Sequence, residues 1–484
     1  MIPAPALEIA VLILGLVMVM AEAFAGKTDR RGFALAGILG LLAVLAASFF
    51  LTAPSPAAAT GFGSFYTADP LAIFFKRFTL VTTILVLVLA IDYAPAIRLG
   101  VPGTNPQAGL GEFYALPLFT CVGLMWMASA IDFVMIFVSL ELVTMSFYVL
   151  VSFTRRNPAT LEAGVKYLIL SAVSTGFLVY GITWIFGVTG ETSLARIGIV
   201  LATQDFDRIP LLFGIALVLV ALGFKIAAVP FQIWVPDVYQ GAPTPVTAFL
   251  SVGSKAAGFV VLLRVLAPFL MLPQVGHLLV GVAALTLIYG NFAALPQTNL
   301  KRLLAYSSIA HAGYLLIGVV TFAGAAVAYY LVAYLLMTLL CFAVLIVVGN
   351  SAGEQIEDYA GLGKRSPFLA FAMLVGMISL AGVPFTAGFL GKFFIFDAAI
   401  RQGQWLLVAI GVITVGCGFY YYLKVVRAMY WLEPAAESTP VKVSGLSRFT
   451  MTLLIAGIFV LGVYPQPILN ALDLVRSTAT AVAR

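Results

Sequence analysis

Of the 484 residues, 62% are hydrophobic and only 10% are charged, against roughly 45–50% and about 25% in a soluble domain. With a mean hydropathy of +1.09, the composition excludes an ordinary water-soluble chain and makes lipid the main solvent. The net charge is +6, but Lys and Arg sit in short clusters between apolar runs rather than in a stripe or tail, which membrane orientation explains better than a nucleic-acid partner, and none is expected.

Runs of about 20 apolar residues, enough to cross about 30 Å of hydrocarbon, follow one another along the chain. They predict an all-α polytopic membrane protein of about fourteen spans near 5–25, 32–52, 71–92, 113–130, 132–153, 163–189, 210–231, 244–268, 274–295, 302–321, 324–349, 367–400, 404–430 and 447–468. The first run lacks a basic leader region, so it reads as a retained span. We expect a single integral membrane domain over 1–484, with three N-terminal spans (1–110), a first group of spans four to eight (111–270), a second of spans nine to thirteen (271–432), and a last span with its tail (433–484).

Loops after odd-numbered spans carry Lys27, Arg30, Arg31, Arg98, Arg155, Arg156, Lys301, Arg302, Lys364, Arg365, Arg427, Lys442 and Arg448, whereas those after even-numbered spans hold little beyond Arg196, Arg208 and Arg401. Positive charge favours the cytoplasmic side, so both termini are expected on the opposite face. Lys76 and Arg77 run against this rule.

The seventh and twelfth spans each contain a Val-Pro-Phe step, Val229-Pro230-Phe231 and Val383-Pro384-Phe385. Proline removes a helical hydrogen bond, so both spans should break there. Lys225 precedes the first step and Lys392 follows the second. That reversal is what two inverted five-helix repeats produce, with spans four to eight matching nine to thirteen; the alternative is that prolines are simply common in membrane helices.

An ionisable group at bilayer depth is costly and needs a partner, water or a function. Glu141 lies nine residues into its span, roughly 14 Å deep at 1.5 Å per residue. Lys225, Lys255 beside Ser251 and Ser254, and Lys392 after two glycines join it as candidate proton carriers. Burial disfavours a charged lysine while a nearby carboxylate favours it, so such a pair is tipped by small electrostatic changes. The alternative for each lysine is snorkelling or static pairing, and for Glu141 a structural ion pair. His311, about ten residues into the tenth span, has a near-neutral reference pKa suited to proton transfer, or it is a packing histidine. Asp132, Glu162, Lys166 and Asp237 lie near span ends, where solvation explains them, and Glu8 and Glu22 flank the first span as caps or neighbour contacts.

Cys121, Cys341 and Cys417 are isolated within apolar sequence and read as core residues. Gly361 and Gly363 only begin a glycine-rich pattern, without the strand-turn-helix setting of a nucleotide loop. His277 and His311 are too few to hold haem or zinc, so neither a metal nor a cofactor is expected in this chain.

The segments SLELVTMSFYVLV (139–151), ALGFKIAAVPFQIWVPDVYQGAPTPVTAFLSVGSKAAGF (221–259), NLKRLLAYSSIAHAGYLLIG (299–318), YAGLGKRSP (359–367) and AGVPFTAGFLGKF (381–393) resemble the proton-translocating antiporter-like family shared by respiratory complex I and multisubunit sodium/proton antiporters. The resemblance implies a fourteen-span fold with two inverted repeats in a bacterial inner membrane, with both termini periplasmic. It makes Glu141 the fifth-span carboxylate, Lys225 its seventh-span partner, Lys255 the central lysine and Lys392 the exit lysine; the histidines that some relatives carry on the central axis are sparse here, His311 among them. Lysine rather than glutamate at 392 argues against the M-type branch, and the short sequence after the last span argues against the L type, which leaves the N-type branch. NAD, FMN, iron-sulfur clusters and quinone are then implied in partner subunits, and M-like and small K/J-like membrane chains, with lipids, as partners. A D-type antiporter chain is the alternative within the family; a membrane anchor with static ion pairs and a free-standing transporter are alternatives outside it.

Overall fold

The computed structural model describes residues 5–25, 30–51, 64–102, 109–434 and 441–471; Lys27 and the end of the expected 433–484 tail lie outside these. The described chain is helical, with three isolated β-bridges and no sheet. In order it forms α1 (Ala6–Phe24), α2 (Arg31–Ala47), α3 (Pro70–Gly100), α4 (Leu110–Ser129), α5 (Phe133–Val151), α6 (Pro158–Thr189), α7 (Leu194–Thr203), α8 (Arg208–Ile226), α9 (Val235–Gly241), α10 (Thr244–Phe249) and α11 (Lys255–Leu266). Next come α12 (Pro273–Ala294), α13 (Leu300–Val320), α14 (Gly324–Gly349), α15 (Leu362–Arg365), α16 (Pro367–Ala381), α17 (Ala387–Arg401), α18 (Trp405–Trp431) and α19 (Gly445–Val463).

Thirteen helical stretches among the described residues are long and apolar enough to cross a membrane. The expected twelfth span is absent from that number because it is split: α16 and α17 have 15 residues each, with the Val383-Pro384-Phe385 step between them. Gly382 turns out of α16 at φ 92° and Phe385 sits at φ 69°, a region in which glycine is at ease and phenylalanine is not. The seventh span also ends earlier than expected. α8 stops at Ile226, Ala227 adopts φ 67°, and the Val229-Pro230 peptide is cis. Freed backbone groups at this break find partners, since Trp234 Nε1 donates to the Phe224 carbonyl (3.1 Å) and the Val229 amide donates to Thr286 Oγ1 (3.0 Å). The apolar runs do not predict α7 as a separate element.

Burial separates an inner axis from a lipid-facing shell. The most apolar window of α13 is entirely buried, and that of the stretch from α10 through α11 is 94% buried, whereas the windows of α1 and α6 are 28% buried. Lipid offers no hydrophobic drive for helices to associate, so close backbone approach through small residues must hold them. On α12 and α13 a Cβ added to Gly290 would lie 2.5 Å from the Ala310 amide nitrogen, and one on Gly313 would lie 2.8 Å from that of Leu287.

Two expectations for charged residues are corrected. Lys76 and Glu8 are neither interfacial nor capping: they form a buried ion pair at 2.8 Å, 1% and 0% exposed, and a cation neutralised inside the protein has no reason to obey the orientation rule. Arg77 is likewise bound within the protein, donating to the Ser48 carbonyl at 2.8 Å. Asp132 is not solvated; it is buried and caps α5, accepting from the Val134 amide (2.8 Å) and the Thr192 hydroxyl (2.7 Å).

Candidate functional site

The five candidate residues sit on five helices around the inner axis. Glu141 projects from α5 and is partly exposed; the Thr175 hydroxyl on α6 donates to its Oε1 at 2.6 Å. Three residues along the same helix face, Thr144 is buried, and its Oγ1 is the hydrogen-bond acceptor for Lys225 Nζ at 3.5 Å. Glu141 and Lys225 therefore form no direct ion pair in this structure: each bonds a different threonine, Thr175 and Thr144, and the Thr144 hydroxyl itself donates to the Leu140 carbonyl. Lys225 lies in the last turn of α8, where helix carbonyls favour a cation.

Lys255 opens α11 directly after a π-helical turn, Leu250–Ser254. An extra residue in a turn rotates the helix beyond it, and such turns recur at functional positions. Lys255 Nζ is thereby aimed at α13, donating to both the carbonyl and the hydroxyl of Ser308, with the Tyr334 ring centroid 5.4 Å away. Tyr239 OH meets the same Ser308 hydroxyl at 3.2 Å. A Cβ on Gly258 would stand 3.3 Å from Lys225 Cγ, so the absence of a side chain there lets the stem of Lys225 lie against the turn that succeeds Lys255.

His311, next along α13, is enclosed by tyrosines. Its Nδ1 is 2.6 Å from Tyr330 OH and its Nε2 is 3.1 Å from Tyr422 OH; Tyr422 in turn hydrogen-bonds Ser307. The histidine is thus tied into a hydroxyl network rather than merely packed. One turn further, Tyr314 OH meets Thr414 Oγ1 at 3.2 Å, and its ring lies 5.0 Å from Lys392 Nζ. Lys392, on α17, reaches back across the break and donates to the carbonyls of Leu380 (2.9 Å) and Ala381 (2.8 Å), the last residues of α16. The lysine caps the negative end of one half-helix from the other. No ion pair joins Lys255 or Lys392 to a carboxylate among the described residues.

Ser308, His311 and Tyr314 recur at three-residue steps on α13 and share one face. This face connects the surroundings of Lys255 to those of Lys392. Hydroxyl groups can accept one hydrogen bond while donating another, so the arrangement suits stepwise proton transfer between groups that hold a proton. Sequence reasoning does not single out Ser307, Ser308, Tyr239, Tyr330, Tyr334 or Tyr422. Their signal is the polar stripe inside otherwise apolar spans, legible as Ser308-x-x-His311-x-x-Tyr314 and Tyr330-x-x-x-Tyr334, but tyrosine is common enough in membrane helices that the stripe alone does not stand out.

Outside the spans, Asp237 on α9 accepts from Lys166 (2.7 Å) and Arg302 (2.8 Å), joining α6, α9 and α13. Partial burial works against its charge, but these two hydrogen bonds outweigh it and hold the carboxyl below its ordinary range. Lys166 also pairs with the exposed Glu162.

A family model described as NADH:quinone oxidoreductase/Mrp antiporter, transmembrane, matches residues 130–418, an interval that contains all five candidate residues. NADH-quinone oxidoreductase subunit N of Moorella thermoacetica is 40% identical over 472 residues, covering 96% of each chain, and that of Desulforamulus reducens is 40% identical over 469 residues, covering 95% of each. Among solved structures, a chain of respiratory complex I from Thermus thermophilus superimposes with a TM-score of 0.80 at 32% identity, over 96% of this chain and 98% of that one. A chain of the Mrp complex from Dietzia sp. DQ12-45-1b gives 0.84 over 99% of both chains at 21% identity, a likeness of fold alone.

Proposed function

Since this chain belongs to the NADH:quinone oxidoreductase/Mrp antiporter family, we propose that it is the N-type, proton-translocating membrane subunit of an NADH:quinone oxidoreductase. In this reading electrons pass from NADH through FMN and iron-sulfur clusters to quinone in neighbouring subunits, and their energy reaches this chain as a change of charge or hydration. Glu141 and Lys225 then alternate between the separated arrangement and a closer one, a proton moves to Lys255, and the α13 face carries it past His311 to Lys392. The observation that carries this reading is that buried α13 face, on which Ser308 binds Lys255, His311 lies among tyrosine hydroxyls and the Tyr314 ring lies against Lys392. No electron moves within the chain; each step breaks one N–H or O–H bond and forms another.

The same reading implies the setting: a bacterial inner membrane, both termini periplasmic, with M-like and small K/J-like membrane chains and lipids as neighbours. The 40% identity to N subunits against 21% to the Mrp chain favours this over a D-type antiporter chain. Replacement of Glu141 by Gln in the assembled complex tests it, because the amide keeps the acceptor that Thr175 uses and loses only the titratable charge. In sealed vesicles the ratio of protons moved to electrons transferred should fall, with assembly intact; an unchanged ratio contradicts the reading. Sodium-dependent proton exchange without NADH:quinone activity would favour the antiporter chain instead.

A further inference from the structure

A second set of buried ionisable groups lies where α1 and α3 begin. Glu8 and Lys76 pair at 2.8 Å, and Tyr66 OH donates to Glu8 Oε1 at 2.9 Å while accepting from Lys76. The other carboxyl oxygen, Glu8 Oε2, is buried with no hydrogen-bond partner among the described residues. A buried pair is weak grounds for stability, since well-packed apolar residues often serve as well. Its register is also not needed to dock α3 on α11: the Arg264 guanidinium grips Asp69 with both Oδ atoms, at 2.9 and 2.7 Å, and also donates to the Ala128 carbonyl at 3.1 Å.

That clamp fixes relative depth. Arg264 lies nine residues beyond Lys255 on α11, about 14 Å along the axis, and Asp69 caps the start of α3. Thr79, nine residues into α3, is therefore about 14 Å from that end, close to the depth of Lys255, and Thr82 and Thr83 lie about a turn deeper. Thr79, Thr82 and Thr83 are all buried, and α3 packs on the π-helical turn that precedes Lys255, which itself buries Ser251 and Ser254. Thr82 and Thr83 donate to their own helix carbonyls at 2.8 Å, leaving their oxygens able to accept. Hydroxyls thus line α3 from about a turn beyond the depth of Lys255 to Thr79, three residues from Lys76, which lies six residues into the helix.

We propose that Glu8, Tyr66 and Lys76 form a proton-holding site at the end of a branch that connects Lys255, by way of the α3 threonines, to the membrane face at which α1 and α3 begin. An N–H bond of the Lys255 ammonium breaks and each threonine hydroxyl accepts one proton and passes on its own; Lys76 gives one proton to Glu8 Oε1, directly or through Tyr66, and regains one from the threonines, and Glu8 then releases its proton to that face. No electron is transferred. The inference rests on the proton-translocating reading above.

The test compares Glu8→Gln, the double substitution Thr79→Val and Thr83→Val, and Lys255→Met in the assembled complex in sealed vesicles, measuring assembly, electron transfer and protons per electron. Both branch variants should lower the proton ratio by less than Lys255→Met does, with assembly and electron transfer retained. If Glu8→Gln fails to assemble, the threonine variant decides, since valine conserves shape and removes only the hydroxyl. Normal ratios in the branch variants beside a low ratio in Lys255→Met overturn the branch and leave the proposed function standing. A normal ratio in Lys255→Met removes the proposed function itself.

Discussion

Replacement of Lys392 separates two roles that the geometry assigns to one side chain. Its ammonium holds the carbonyls of Leu380 and Ala381 at 2.9 and 2.8 Å, and a buried acceptor stripped of its partner costs about 1–3 kcal/mol. Methionine at this position therefore loses about 2–6 kcal/mol of local satisfaction, offset by the roughly 2.5–3.5 kcal/mol no longer needed to hold a charge at bilayer depth. The net destabilisation is at most about 3.5 kcal/mol by this reckoning and is confined to the α16–α17 break. Arginine retains donors for the carbonyls but does not release its proton. In the assembled complex, Lys392→Met should speed amide hydrogen exchange at residues 378–386 and lower the protons moved per electron. Lys392→Arg should lower the proton ratio while leaving exchange near that of the unaltered protein. Unchanged exchange in the methionine variant refutes the capping role, and full proton movement in the arginine variant refutes the titrating one.

Tyr422→Phe removes the hydroxyl that serves both His311 and Ser307; proton translocation should slow, with thermal stability reduced by no more than about 1–3 kcal/mol, and an unaltered rate in vesicles argues that protons bypass His311. At Asp237 the folded carboxyl is held below its ordinary value of about 4. Its stabilisation is complete above that unfolded value and is lost as pH falls through the lower folded one. Asp237→Asn should therefore lower the thermal midpoint at pH 7 by an amount worth less than about 1 kcal/mol per pair. The gap from the unaltered protein should close in acid, and a gap that widens on acidification contradicts the assignment.

The fold is legible in the sequence because bilayer thickness leaves one strong signature, apolar runs of fixed length, and most span boundaries lie within a few residues of those the runs imply. The breaks are legible as proline steps, but their exact positions are not. α8 ends at Ile226, before Pro230, because the chain leaves the helix at Ala227 in a left-handed conformation that nothing in the local sequence demands. Lys225, Lys255 and Lys392 stand out because lysine in an apolar run is conspicuous. What each touches depends on which helices meet, and pairings such as Lys255 with Ser308, 53 residues away, are set by tertiary packing. The Glu8–Lys76 pair is hidden from the sequence for the same reason: each residue lies near a helix end, where sequence alone favours solvent, and only the packing of α1 on its neighbours encloses them.

Lys255→Met offers the most direct measurement of whether buried groups on this axis carry protons. Methionine approximates the volume of the lysine stem, the charge is lost, and the Ser308 carbonyl remains within its helix, so assembly and electron transfer should persist. In sealed vesicles energised by NADH and quinone, the complex bearing this substitution should move fewer protons per electron than the unaltered one. An equal ratio, with the variant subunit verified in place, contradicts the account.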